Sequence, residues 1–416
     1  MLNKRVLVAA LCISAVFSIG YVAQAFGPLR LGGWDSSEYL VMAAVKSDGY
    51  PFPKTRLPIG YPVAVVGLDR IGLANQAGFV VLNLIGLAIG LLAFIAIGRA
   101  ELGLSAVELA AVTAATLLYR TVIELAAVPQ PDLLFFGASM VALASFSRAI
   151  TSENAPAWIA TGAAALAVSV SLRSIGLALI PASAWAVCRI RGSHIRRALV
   201  GVALLVSWVA IAMTLVKWRG YLVATAAPTY RSMGTVGVLE FDLAYRFEEL
   251  ADLVTNTHFP FFHGLQTVAW IRLGAAVFGI LALVGIWKSR TSLAAVYSIC
   301  YFGILLAWPA LMPRFWAPVA PFVFAFTWIG AKAVVGRLTV PRGVFPTAVG
   351  AYCCWICALG AYGMVGSLRE ARTVDGKILA ALREQPHLTT ADIARLNPED
   401  LATVANVPIA ASRFGK

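Results

Sequence analysis

Stretches of about 20 consecutive apolar residues recur along this chain, and they restrict its fold more than any other feature. In lipid an unpaired backbone N–H or C=O costs several kcal/mol, so such a stretch is stable across a bilayer only as a helix that satisfies its own backbone. "GFVVLNLIGLAIGLLAFIAIG", residues 78–98, carries no charge at all. On this criterion spans are expected at roughly 5–25, 76–98, 104–122, 131–149, 156–172, 174–190, 197–216, 266–286, 293–311, 315–335 and 344–366. The fold class expected is an all-α polytopic membrane protein of about eleven transmembrane helices. Arg173 separates two of these stretches, which also read as one kinked helix. With 60% hydrophobic and 13% charged residues and a mean hydropathy of +0.81, the chain lies outside the range of soluble domains.

The basic residues orient the helices. Lys4 and Arg5, Arg99, Arg148, the cluster Arg189, Arg191, Arg196 and Arg197, Lys288 with Arg290, and Lys332, Arg337 and Arg342 fall in alternate connections. Short cytoplasmic loops are enriched in Lys and Arg, so the N-terminus reads as cytoplasmic. The formal net charge of +13 then requires no nucleic-acid partner. The first stretch has the basic start of a signal peptide, but its long apolar run favours an uncleaved anchor. In this topology residues 1–366 form the membrane domain, with a first outer loop at 26–75 and a second at 217–265. Residues 367–416 form a small outer tail of mixed charge, in which Asn397 and Pro398 start a helix. The six cysteines lie in or beside spans and do not form a disulfide framework.

Chemistry is therefore expected in the outer loops. The first carries Asp35, Glu38, Asp48, Lys54, Arg56, Asp69 and Arg70, together with two short apolar runs, "EYLVMAAV" and "YPVAVVGLDRIG", that read as interfacial amphipathic helices. Asp35-x-x-Glu38 before an apolar run matches a capping box, and a capped acid is also a positioned base. Asp132, after Pro131, caps a span or contacts substrate. Tyr39 and Tyr61 are interface anchors or hydrogen-bond donors to a sugar or phosphate. The second loop contains His258 and His263 with Glu240, Asp242, Glu248 and Glu249 upstream, which leaves a divalent metal open as the one cofactor to consider.

Five stretches in order, "WDSSEYLVMAA", "RLPIGYPVAVVGLDRIG", "QPDLLFFGASMVALASFSRA", "LRSIGLALIPA" and "PRFWAPVAPFVFAF", resemble membrane glycosyltransferases of the GT-C class. The branch is that of protein O-mannosyltransferases and the lipid A aminoarabinose transferase. The resemblance implies transfer of a sugar from a polyprenyl-phosphate carrier to a lipid, polysaccharide or protein acceptor on the outer side of a bacterial inner membrane. It places Asp35 as the base, with the role of Glu38 open because Ser36 stands where several relatives carry a second acid. A sugar phosphate leaves as an anion, so one base and several cations suffice, whereas a glycosidase needs two carboxylates. Arg314, Arg173, Arg56 and Lys54 are the candidate phosphate ligands, since the guanidinium fork donates to two phosphate oxygens at once. Arg314 beside Trp316 also fits a residue snorkelling to headgroups. The competing classes are a lipid-linked glycan ligase or polymerase and a lipid or sugar transporter, whose polar residues would line a path through the midplane.

Overall fold

A computed structural model of the chain describes residues 4–31, 34–53, 57–190, 201, 227–256, 269–307, 313–337 and 344–370. These residues form helices α1 (Lys4–Ala23), α2 (Trp34–Ser47), α3 (Gly60–Arg70), α4 (Gln76–Ala100), α5 (Ala106–Leu118), α6 (Arg120–Ala127) and α7 (Asp132–Thr151). They continue with α8 (Ala155–Leu172), α9 (Leu179–Arg189), α10 (Ala227–Thr255), α11 (Ala269–Lys288), α12 (Leu293–Leu306), α13 (Ala320–Val335) and α14 (Val344–Glu370), with 3-10 turns at Ser174–Ala178 and Pro313–Trp316.

Five helices are long and apolar enough to cross a membrane: α4, α7, α8, α11 and α14. The expected span at 104–122 is instead α5 and α6, bent by 59° at Tyr119, and makes a sixth if the pair is one broken crossing. The spans expected at 174–190, 293–311 and 315–335 are represented by apolar helices of 10–17 residues, and that at 5–25 by α1, in which the stretch Cys12–Ala23 is of that length. That at 197–216 lies outside the described residues, as does the tail beyond Glu370. The chain is thus all-helical and polytopic, and its apolar stretches form fewer full-length crossings than eleven among the described residues. Arg173 does interrupt its helix: its backbone is extended, and a 3-10 turn follows before α9.

Helix α7, which carries Asp132, crosses α4 at close range. A Cβ at Gly86 would lie 2.6 Å from the Leu133 carbonyl oxygen, and one at Gly137 would lie 2.7 Å from the Gly86 carbonyl oxygen, so both positions need the missing side chain. The α5–α6 break leaves backbone groups without helical partners, and Asn256 supplies them. Its Nδ2 donates to the Leu118 carbonyl at 2.9 Å and its Oδ1 accepts from the Arg120 N–H at 2.8 Å. Asn256 ends α10 at φ 55°, a left-handed conformation that Asn adopts more readily than most residues.

Both helices expected in the first outer loop are present. Helix α3 is amphipathic, with Tyr61, Pro62, Val65 and Val66 buried and Val63 exposed. Helix α2 departs from the expected interfacial placement: every residue from Tyr39 to Val45 is buried. Its apolar run is continuous and has no polar face to turn toward water, so it packs inside the protein.

Replacing Asn256 by Ala is expected to cost about 1–3 kcal/mol, because two buried backbone groups lose their partners. Asn256→Gly, which relaxes the left-handed backbone, should recover only part of this in thermal unfolding of the purified protein.

Candidate functional site

The acids and arginines singled out in the sequence meet at one end of the bundle. Asp35 lies in the first turn of α2, which begins at Trp34. It is therefore inside the helix, where its carboxylate also reaches beyond the first turn. Its Oδ2 accepts from Nη2 of Arg314, in the 3-10 turn that precedes α13. Glu38, one turn further along α2, is buried. Asp132 departs from the capping role. Pro131 occupies the N-cap position of α7, and Asp132 Oδ2 accepts from Arg173 Nη2 at 2.9 Å. This second pair is sealed, with the carboxylate side chain 1% and the guanidinium 9% exposed, while the Arg314–Asp35 pair is partly open at 13% and 17%.

The two pairs are neighbours. The guanidinium carbons of Arg173 and Arg314 lie 5.1 and 5.7 Å from the centre of the same Phe315 ring, within cation–π range. Burial works against the Arg314 charge, but the carboxylates of Asp132 and Asp35 together outweigh it and hold the Arg314 pKa above its ordinary value. Tyr39 packs edge-on against Tyr61, with ring centres 5.5 Å apart. Burial raises the Tyr39 pKa, while Arg173 and Arg314 lower it and Asp35 and Asp132 raise it. Tyr61 is also pushed up by burial. Both phenols are neutral hydrogen-bond donors at ordinary pH, and the Tyr61 hydroxyl has no partner among the described residues.

Three further polar atoms are buried here without a hydrogen bond among the described residues: Arg314 Nε, Arg173 Nε and Asp132 Oδ1. Buried polar groups are nearly always paired, so two guanidinium N–H groups and a carboxylate oxygen left over at one place mark capacity for a polar ligand.

The scaffold explains this placement. Asn83 Nδ2 donates to the Leu125 and Val128 carbonyls at 3.0 and 2.7 Å, and Gln76 Nε2 donates to the Ala127 carbonyl at 2.8 Å; together they fix the end of α6. In the turn that follows, Gln130 Nε2 donates to Ser36 Oγ at 2.9 Å, tying the start of α2 to the start of α7 and hence Asp35 to Asp132. The Arg314 turn is held from two sides. Tyr301 donates its hydroxyl to the Phe315 carbonyl at 2.7 Å, and Trp316 Nε1 donates to Glu249 Oε2 at 2.8 Å.

Glu249 belongs to a buried polar stripe on α10, of which the sequence singled out Asp242 and Glu249 beside a possible metal but not Arg246 between them. Arg246 donates to it at 2.6 Å and to the Leu305 carbonyl at 3.2 Å. Asp242, one turn before Arg246, is fully enclosed with no hydrogen bond to either oxygen; burial raises its pKa, with Arg246 opposing. The 242, 246, 249 spacing of these charges on one helix face was the available signal. Glu248 pairs with Arg272 at 3.0 Å. Lys54, Arg56, His258 and His263 lie outside the described residues. Among the described residues there is no group of three or more His, Cys, Asp or Glu placed to hold a metal ion.

No family model matches this sequence, and no curated protein matches it. Solved structures do match its fold. An oligosaccharyltransferase of Archaeoglobus fulgidus, in a complex with Zn and sulfate, aligns over 94% of this chain at a TM-score of 0.51 and 12% identity. The chain spans 58% of that protein's length. ArnT from Cupriavidus metallidurans, bound to undecaprenyl phosphate, aligns over 97% of this chain and 77% of its own, with a TM-score of 0.46 and 15% identity. The oligosaccharyltransferase AglB from Archaeoglobus fulgidus, with an inhibitory peptide and a dolichol-phosphate, aligns over 91% of this chain and 58% of its own at a TM-score of 0.47 and 12% identity. The chain therefore shares, over most of its length, the fold of a GT-C oligosaccharyltransferase.

Removing one member of the sealed pair leaves the other charge buried and uncompensated, which costs about 3–5 kcal/mol. Arg173→Met and Asp132→Leu should each lower thermal stability by about that amount. The double variant should be distinctly more stable than either single, as read from a double-mutant cycle.

Proposed function

We propose that this chain is a glycosyltransferase that moves a sugar from a polyprenyl-phosphate donor to an acceptor hydroxyl on the outer side of the membrane, with inversion at the anomeric carbon. The observation that carries this reading is the gathering of two carboxylates and two arginines at one helix end, with the Nε–H groups of both arginines uncommitted. The shared fold with an oligosaccharyltransferase supports the class.

In this reading Arg314 and Arg173 take the donor phosphate through their free N–H groups. A carboxylate locked on a guanidinium is a weak base. Phosphate binding draws Arg314 toward the donor and leaves Asp35 free to accept the acceptor hydroxyl proton as that oxygen attacks the anomeric carbon. The bond from that carbon to the phosphate oxygen breaks, and the polyprenyl phosphate departs as an anion neutralised by both arginines. Asp132 holds Arg173 in place, and the neutral phenols of Tyr39 and Tyr61 orient donor oxygens. Glu38 is the alternative base, and Lys54 and Arg56 remain candidates for further contacts to the donor phosphate. The proposed setting is a bacterial inner membrane crossed about eleven times, with the N-terminus cytoplasmic and the site outside. A charge cluster at the helix ends also favours surface chemistry over the transporter reading, which needs polar groups along a transmembrane path.

The test is transfer of labelled sugar by the purified protein from a panel of polyprenyl-phosphate sugars. Asp35→Asn should lower kcat by about 10²–10⁴-fold with donor binding intact, while Arg314→Gln should weaken donor binding. Full activity of Asp35→Asn would remove it as the base, and transfer only from pyrophosphate-linked glycans would establish a ligase.

A further inference from the structure

At the opposite end of α7 the bundle opens into a second polar cavity. Arg148 is sixteen residues from Asp132 on that helix, about 24 Å along its axis at 1.5 Å per residue. The cavity, of about 570 Å³, lies among the ends of α4, α7, α9 and α11 and the start of α12. Its lining includes Arg148, Arg189 and Lys288 against one carboxylate, Glu101.

Glu101 is fully engaged by the protein: Ser147 donates its hydroxyl to one oxygen at 2.6 Å and the Leu293 N–H donates to the other at 3.2 Å. Arg189 is oriented by donating to the Thr291 carbonyl at 2.8 Å. The Arg148 carbonyl accepts from Thr151 and Ser152, but neither the Arg148 guanidinium nor the Lys288 ammonium takes an ion-pair or hydrogen-bond partner among the described residues. Three cations thus face one space whose only carboxylate is already satisfied.

The rim carries the aromatic residues of a headgroup layer. Trp185 donates its indole N–H to the same Thr291 carbonyl at 3.2 Å, and Trp287, adjacent to Lys288, is 67% exposed. Exposed tryptophans of this kind settle at the membrane–water interface, which puts the cavity at headgroup depth. Basic clefts between transmembrane helices at this level suit lipid phosphates.

We propose that this cavity is a binding site for the phosphodiester headgroup of an anionic phospholipid, held by Arg148, Arg189 and Lys288 and separate from the site at Asp35. The proposal does not depend on the glycosyltransferase reading.

Native mass spectrometry of the full-length protein released from detergent, with phosphatidylglycerol or phosphatidylcholine added, tests it. Wild type should retain phosphatidylglycerol preferentially. Arg148→Gln/Lys288→Gln, which breaks no internal hydrogen bond, should lower that retention by about tenfold, while Arg290→Gln, which lies outside the cavity lining, should leave it unchanged. Equal retention of the two lipids, or undiminished phosphatidylglycerol in the double variant, would overturn the proposal. So would displacement of the lipid by millimolar inorganic phosphate, which would assign the cavity to a soluble anion.

Discussion

A charge near the end of a transmembrane helix has to be neutralised or bound to water, and this chain meets that requirement with two guanidinium–carboxylate pairs that share one aromatic ring. Arg173 and Arg314 both lie against Phe315, while Asp132 and Asp35 answer them from α7 and α2. The pairs join four elements far apart in sequence: α2, the start of α7, the break between α8 and α9, and the turn before α13. Because each partner is buried or half-buried, none can move without exposing a charge to low dielectric, so the pairs also set how these four elements meet.

In the proposed mechanism the two pairs have different roles because their burial differs. The Asp132–Arg173 pair is sealed and acts as a fixed post from which the remaining Arg173 N–H can point. The Arg314–Asp35 pair is more open, and exchanging its partner for an incoming phosphate is less costly. A rigid cation beside a releasable one is well suited to a phosphate leaving group, whose negative charge grows as the bond breaks. Around them the protein spends its side-chain hydrogen bonds on positioning. Gln130 ties Asp35 to Asp132, Asn83 and Gln76 hold the end of α6, and Glu249 and Tyr301 hold the Arg314 turn.

The opposite end of the bundle has a different balance. Its cations outnumber its carboxylate, and its tryptophans face outward. Arg148, Arg189 and Lys288, which the sequence places in separate connections, are there brought together in space. A topological bias in the sequence thereby becomes a localised field at one surface.

Sequence alone determined the helical class, the position of most helices and the identity of Asp35, Asp132, Arg173 and Arg314 as residues worth following. Apolar runs and isolated charges among them are local properties, and the cost of burying a backbone group or a charge applies wherever they sit in the chain. It did not reveal which charge meets which, because pairing across 279 and 41 residues depends on the packing of whole helices. For the same reason the ion pairing of Asp35 and Asp132, both of which read as caps, was not legible: the cap position of α7 falls on Pro131, and each carboxylate meets an arginine from a distant element. The enclosure of α2, the bend at Tyr119 and the polar stripe of α10 around Arg246 and Glu249 were likewise decided only in three dimensions. The last two depend on partners distant in sequence, Asn256 for the bend and Trp316 for the stripe, and no local pattern encodes such a partner.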